Sequence, residues 1–325
     1  MDTYNHIFGL QENTFEATAI ETFHHQARSC EVYREYLQHL QLRPEEITQL
    51  KDVPFLPIQF FKTHQVINGL VSVEKTFESS GTSGTINSKH YIHDVRLYHQ
   101  SVTLGFNAAY GNPNQYSILG LLPSYLERGN SSLVEMTRLL MSQSGHPING
   151  FFLDEFEHLH RALVELEAKN QPTILIGVTF ALLDFAEQFP TSLKNTVVME
   201  TGGMKGRRQE MTRSELHSIL KAGFGVEQIH SEYGMTELLS QAYSKGEGKY
   251  DCPSWMKVLI RDVDDPFNWA QTGYRGGVNI IDLANQNSCA FIATDDIGLI
   301  HDDGSFEILG RFDGSETRGC SLLAV

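Results

Sequence analysis

The run Thr173-Ile174-Leu175-Ile176-Gly177-Val178-Thr179-Phe180-Ala181-Leu182-Leu183-Asp184-Phe185-Ala186-Glu187-Gln188-Phe189 opens as an apolar strand over residues 173–176. It turns into a helix over residues 180–189. A short apolar run passing directly into a helical pattern is the unit of a parallel sheet. The same unit repeats on both sides. Upstream, residues 116–122 read as a buried strand and residues 131–142 and 155–169 as helices. Downstream, residues 196–199 read as a strand and 212–222 as a helix. This alternation predicts an α/β fold with a mainly parallel sheet. Further out, Phe15, Ala19, Phe23 and Ala27 recur at helical spacing, and Tyr33, Tyr36, Leu37 and Leu40 continue the face. A connector broken by Pro44, Pro54 and Pro57 follows. Residues 75–78 and 89–93 read as strands flanking a Ser/Gly/Thr loop, and Asp94 caps a helix to about residue 109. Beyond about residue 250, short strands at 258–261, 278–282, 290–293, 298–301 and 306–310 predict a β-rich end, a small barrel or a set of hairpins.

Composition narrows the function. The chain has 325 residues, of which 41% are hydrophobic and 20% charged, an ordinary globular mix. Its net charge of −15 speaks against general binding to nucleic acid or to an anionic membrane, both of which need a positive surface. The longest apolar stretch, residues 174–183, stops at Asp184 and is too short to span a bilayer, so no membrane insertion is expected. Cys30, Cys252, Cys289 and Cys320 form no C-x-x-C pair, and the first ten residues are too polar for a signal peptide. Together these features predict a cytoplasmic protein with free thiols.

Ser79-Ser80-Gly81-Thr82-Ser83-Gly84-Thr85 is the densest run of hydroxyls and glycines, with Lys89 close behind. Such a loop can converge N–H and O–H donors on an anion, and the lysine adds charge. It matches neither a Walker A loop nor a dinucleotide fingerprint, and Ser83 is in no nucleophile elbow. A flexible surface turn is the alternative on composition alone. Two further segments bear on the choice: Tyr233-Gly234-Met235-Thr236-Glu237, and Thr294-Asp295-Asp296 with Gly310-Arg311-Phe312-Asp313. Taken singly, each also reads as ordinary structure: a core aromatic, a solvated helix acid, a turn.

In this order the segments resemble the signature of the AMP-forming adenylating enzymes, the superfamily of acyl-CoA synthetases, peptide-synthetase adenylation domains and firefly luciferase. Ser80-Gly81-Thr82-Ser83-Gly84 with Lys89 resembles the phosphate loop, and Thr201-Gly202-Gly203 the backbone segment beside adenine. Tyr233 to Glu237 resembles the Y-G-x-T-E motif, Thr294-Asp295-Asp296 the T-G-D motif, and Gly310-Arg311-Phe312-Asp313 the G-R-x-D hinge. Leu56-Pro57 with Phe60-Phe61-Lys62 is similar to the stretch before the phosphate loop in the phenylacetate-ligase-like branch. The resemblance implies the layered α/β large domain of that superfamily, with ATP and Mg²⁺ as cofactors. It implies an ATP/AMP site made of Ser79, Ser80, Gly81, Thr82, Ser83, Gly84, Gly202, Gly203, Tyr233, Gly234, Met235, Thr236, Asp296 and Arg311. Lys89 would neutralise phosphate, Tyr233 offer adenine an aromatic face, Asp296 accept from the ribose hydroxyls and Glu237 hold the Mg²⁺.

Past the hinge the pattern departs from the superfamily. Its members continue into a small mobile domain bearing an assisting lysine, whereas only residues 314–325 follow here. The expected layout is an adenylation core over residues 1–310, comprising a helical lead-in to about 75, an α/β part to 250 and the β-rich part. A hinge remnant and tail follow over 311–325. This form is similar to the acyl-protein synthetases of bacterial bioluminescence, the fatty-acid:luciferin-component ligases. There a cysteine near the C-terminus takes the acyl group as a thioester and passes it to a reductase. Cys320 stands at the matching place, although a tail cysteine packed as a small hydrophobe is its alternative. Lys205, in a basic cluster with Arg207 and Arg208, is expected to supply charge in place of the missing lysine, or else to sit in a solvated basic turn. Residues 145–152 and 179–183 are candidate walls of an acyl pocket. The resemblance thus implies activation of a carboxylic acid, transfer to Cys320 and delivery to an acyl-accepting protein such as a reductase. Two alternatives remain: a stand-alone ligase passing acyl to coenzyme A or a carrier protein, and a non-catalytic binding protein of the same descent.

Overall fold

A computed structural model describes residues 5–69, 71–79, 86–123, 129–153, 155–202 and 211–312. The lead-in is helical as its spacing predicts: α1 (Asn5–Phe8), α2 (Glu12–Ser29) and α3 (Glu31–His39). Phe15, Ala19, Phe23 and Ala27 form the buried face of α2, and Tyr33 and Leu37 that of α3. This face packs on the far end of the chain, with Phe23, Tyr33 and Phe55 surrounding Phe291 at ring separations of 6.1, 6.4 and 5.9 Å. The fully buried Gln26 joins the same contact. Its amide donates to the Asn285 carbonyl at 2.7 Å, and its oxygen accepts from the Ala290 N–H at 2.8 Å.

The proline-broken stretch is more than a connector. Leu56 and Pro57 form β1, and α4 (Phe60–Thr63) follows. A two-stranded antiparallel hairpin of β2 (Lys75–Glu78) and β3 (Lys89–Ile92) follows. Its base is pinned by Lys75, whose Nζ lies 2.6 Å from Glu135. Asp94 caps α5 (Val95–Tyr110) by accepting the Arg96 N–H at 3.0 Å.

Next comes the alternating part: β4 (Ser117–Leu121), α6 (Ser132–Ser144), β5 (Gly150–Phe152), α7 (Phe156–Ala168), β6 (Thr173–Val178), α8 (Thr179–Gln188), β7 (Thr196–Thr201), α9 (Arg213–Phe224), β8 (His230–Tyr233) and β9 (Ala242–Ser244). The sheet order is β5-β4-β6-β7-β8-β9. All pairings are parallel except the antiparallel edge strand β9. Every residue of β4 and β6 is buried, as expected for parallel strands covered on both faces.

The β-rich end is a second sheet of β10 (Lys249–Tyr250), β11 (Met256–Arg261), β12 (Gly276–Asp282), β13 (Phe291–Ile300) and β14 (Phe306–Arg311). It runs as an open antiparallel path β10-β14-β13-β12-β11, with β1 added parallel to β13. One expectation is corrected here. The two strands expected at 290–293 and 298–301 are one ten-residue strand, β13, from Phe291 to Ile300. The polar Thr294-Asp295-Asp296 interrupts the apolar pattern without ending the strand: the pairing with β12 jumps from Ala293 to Ile297, and the pairing with β14 shifts at Ile297/Gly298, so the strand absorbs the polar stretch in bulges.

The two sheets are locked together by a buried polar cluster. Trp255 Nε1 donates to the Ser240 and Ser101 hydroxyls at 2.8 and 3.2 Å. The Ser240 hydroxyl donates to Asp282 at 2.6 Å. Among the described residues no helix is long and apolar enough to cross a membrane. Cys30 and Cys289 are buried, and burial pushes both thiols up, in keeping with structural roles.

Candidate active site

Ligands of open parallel sheets gather beyond the carboxyl ends of the strands, and here those ends carry the motif residues. Gly202, just past β7, takes φ 70°, and its carbonyl accepts the Thr179 hydroxyl at 3.2 Å. Of the expected acyl-pocket walls, Phe180 to Leu183 are fully buried core, leaving Thr179 beside Gly202. Residues 150–152 lie in β5 at the opposite edge of the sheet.

β8 ends in Tyr233, where the two sheets meet. The Tyr233 hydroxyl donates to Asp296 Oδ2 at 2.7 Å, and its ring packs on Tyr250 and Phe306 at 5.8 and 5.6 Å. Ladder register sets Asp296 of β13 opposite Arg311 of β14, and Arg311 Nε lies 3.2 Å from Asp296 Oδ1. Burial pushes the Asp296 carboxyl up, and the Tyr233 bond and the Arg311 charge oppose that shift. Gln59, two residues past β1, donates to Asp295, so the stretch before the β2–β3 hairpin reaches the same rim. Arg261 donates to the Thr294 carbonyl at 2.6 Å and lies over the Phe312 ring.

The turn after Tyr233 is held from three sides. His90 Nδ1 lies 3.0 Å from the Thr236 carbonyl. Asn285 donates to the Glu237 carbonyl at 2.9 Å. Asp282 accepts the Leu239 and Ser240 N–H groups at 2.8 and 3.0 Å. These bonds hold the backbone of the turn, and Glu237 within it is buried, 5% exposed. Burial raises its carboxyl, while the Ser88 hydroxyl bonded to it and the charges of Arg311 and Lys62 lower it. A Cβ at Gly234 would meet the Glu232 carboxylate, so a larger residue there would force that buried side chain to shift. Met235 packs partly buried against the core.

On the hairpin, Ser79 and Ser88 close the ladder beyond Glu78 and Lys89, with the Ser79 hydroxyl accepting the Ser88 N–H at 2.9 Å. Lys89 is half exposed, 3.7 Å from Glu78. Ser80, Gly81, Thr82, Ser83, Gly84, Gly203, Lys205 and Cys320 lie outside the described residues. The motif residues that are described, Ser79, Lys89, Gly202, Tyr233 to Glu237, Asp296 and Arg311, lie on strand ends and turns at the seam between hairpin and sheets.

Several buried groups beside this seam carry no motif signal. Glu232 is 7% exposed, accepts the Thr201 hydroxyl and sits near Glu200; burial pushes it up to about 7. Glu200 accepts from the Ser231 hydroxyl at 2.7 Å and lies 3.6 Å from His217 Nε2. His230 packs on Tyr110, whose hydroxyl lies 3.1 Å from its Nδ1, consistent with a packing histidine. An acid adjoining the Y-G-M-T-E run is the one sequence hint of Glu232; its burial is set by tertiary packing.

Glu232 has a measurable consequence. Its folded value lies above the ordinary 4.5, so its contribution to stability is complete below about pH 4.5 and is lost as pH rises through about 7. Over that window it removes about 3 kcal/mol. Glu232→Gln is expected to flatten the pH dependence of unfolding free energy by that amount between pH 5 and 8. Denaturant titrations at both pH values read it directly, and parallel curves for the two proteins would contradict it.

The two-sheet α/β body, with the β2–β3 hairpin beside it, has the fold of the large domain of adenylate-forming ligases. Solved structures agree on the fold. An open conformation of 2-hydroxyisobutyryl-CoA ligase with 2-HIB-AMP and CoA superposes with a TM-score of 0.67 at 12% identity, covering 94% of this chain and 71% of that one. ATP-bound MatB from Rhodopseudomonas palustris gives a TM-score of 0.55 at 16% identity, covering 75% of this chain and 49% of that one, about half its length. Residues 3–324 match the acyl-protein synthetase family LuxE, and the chain belongs to that family, among the acid–thiol ligases. The long-chain-fatty-acid–luciferin-component ligase of Aliivibrio fischeri is 22% identical over 97% of this chain and 89% of its own length. That of Photorhabdus luminescens is 32% identical over 75 residues, 23% of this chain and 64% of the relative.

Proposed function

We propose that the chain activates a fatty acid with ATP and carries the acyl group on Cys320. The observation that carries this reading is the convergence of Tyr233 and Arg311, from one strand of each sheet, on the Asp296 carboxylate. That cluster can accept from a ribose diol through Asp296 while Arg311 faces ribose or phosphate as a planar fork. The hairpin loop with Lys89 cradles the phosphates, and Gly202-Gly203 lines the adenine with Tyr233. The substrate carboxylate oxygen attacks the α-phosphorus, and the bond to the leaving pyrophosphate breaks, giving acyl adenylate. Positioning and charge stabilisation supply the catalysis. The Cys320 thiolate then attacks the acyl carbonyl, AMP departs, and the thioester passes to an acyl-accepting protein such as a reductase. Lys205 supplies positive charge to the phosphates.

A buried carboxylate, Glu237, bonded to Ser88 beside the loop and followed back by the Thr236 hydroxyl, fits Mg²⁺, which keeps waters and substrate phosphates as its other ligands. Bound there, the ion would offset phosphate charge.

The test is ATP–pyrophosphate exchange by wild type and Cys320→Ala with short, long and aromatic acids, with intact-mass analysis of each. Exchange by both proteins, best with long-chain acids, and an acyl adduct on wild type alone is the expected result. An adduct surviving in Cys320→Ala, or none on wild type, would move the acceptor elsewhere, to coenzyme A or a carrier protein. Loss of both exchange and ATP binding would remove the adenylation reading.

A further inference from the structure

Strand β3 alternates strictly where it meets the motif turn. Ser88 and His90 are buried and face Thr236 and Glu237, while Lys89 between them is exposed. Ser88 bonds the Glu237 carboxylate, and His90 reaches the Thr236 carbonyl one residue earlier. The same imidazole is 1% exposed, sits edge-on to Phe61 at 5.6 Å, and places Nε2 2.9 Å from the Ser288 hydroxyl. One ring thus joins three segments separated by 146 and 198 residues of chain.

The partners dictate the hydrogen positions. A carbonyl oxygen only accepts, so Nδ1 must carry the hydrogen; the neutral ring then leaves Nε2 to accept from the Ser288 hydroxyl. Burial without a charged partner favours that neutral ring. A buried histidine with both nitrogens engaged is a clamp of fixed length, and this one spans from the strand bearing the phosphate-loop lysine to the backbone bearing the metal-binding glutamate.

We propose that His90 is a positioning residue that sets the distance between the phosphate-loop strand and the Glu237 carboxylate, and thereby the Mg²⁺ requirement of adenylation. This rests on the adenylation reading above. Asparagine places an amide nitrogen near the position of Nδ1, so His90→Asn keeps the bond to Thr236 and gives up Ser288. Glutamine places its amide near Nε2, so His90→Gln keeps Ser288 and gives up Thr236. A side chain acting only as core filler would lower thermal stability in both variants and leave the metal requirement alone.

Two measurements test the inference. In ¹⁵N-labelled wild type at pH 7, His90 is expected as the neutral tautomer protonated on Nδ1; a ring protonated on Nε2 instead would overturn the clamp, whatever the enzyme's activity. In pyrophosphate exchange, His90→Gln is expected to raise the Mg²⁺ concentration for half-maximal rate about 10-fold, the scale of one lost buried hydrogen bond. His90→Asn should stay within about 3-fold of wild type. An active wild type with an unchanged Mg²⁺ requirement in His90→Gln defeats this inference alone. A wild type with no exchange at any Mg²⁺ concentration defeats the adenylation reading, and the metal half of this inference with it.

Discussion

Asp296→Ala is expected to lower ATP–pyrophosphate exchange about 1,000-fold in kcat/KM. A carboxylate accepting both hydroxyls of a ribose makes two charge-assisted hydrogen bonds, each worth roughly 1.5–3 kcal/mol. The substitution removes both, and it also strips the acceptor from the Tyr233 hydroxyl and from Arg311, which meet there at 2.7 and 3.2 Å. The two protein donors would then be free to turn away from the nucleotide. Asp296→Asn keeps the shape and one acceptor oxygen but aims an amide at one of these donors, so its loss should fall between. Steady-state exchange over a range of ATP concentrations measures the effect. An Ala variant within about 10-fold of wild type would take Asp296 out of the nucleotide site.

The largest effect on stability is expected from Asp282→Ala. This carboxylate is fully buried, and burial pushes it up, yet it accepts from Leu239, Ser240 and Ala284 N–H groups and from the Ser240 hydroxyl. Removing it leaves three backbone donors without an acceptor in a dry interior, at about 1–3 kcal/mol each. Relief of the buried charge offsets part of that, leaving a net loss of about 5 kcal/mol, at the extreme of single substitutions. For a chain of this length the unfolding midpoint should fall by roughly 7 °C. Asp282→Asn, which keeps one acceptor, should lose about half as much. A melting curve for Asp282→Ala superimposable on wild type would show the Leu239–Ser240 turn to be held by other contacts.

What could be read in advance follows from what is contiguous in the chain. Tyr233 to Glu237, Thr294 to Asp296 and Gly310-Arg311 each occupy a few successive residues, so their chemistry is visible before their geometry. The alternation of β4 to α9 is visible for the same reason, because periodicity is local. The pattern splits β13 in two because Thr294, Asp295 and Asp296 break the apolar run, whereas the strand passes through them as an irregularity in its pairing with β12. β1 reads as connector in the sequence, since two residues carry no periodicity. The roles of Glu232 and His90 depend on burial and on partners far along the chain, and no window of sequence contains them.

The parallel pairing of β1 with β13 also bears on synthesis. Gln59 and Asp295, which meet at the site rim, are 236 residues apart. At 5–20 residues per second, the ribosome takes roughly 10–50 s to deliver the second after the first. Throughout that interval the face of Phe23 and Tyr33 lacks Phe291, its docking ring. The nascent lead-in therefore emerges with its apolar stripe uncovered and is a natural client for a holding chaperone. The seam where Tyr233, Asp296 and Arg311 meet forms only once β13 and β14 have left the exit tunnel.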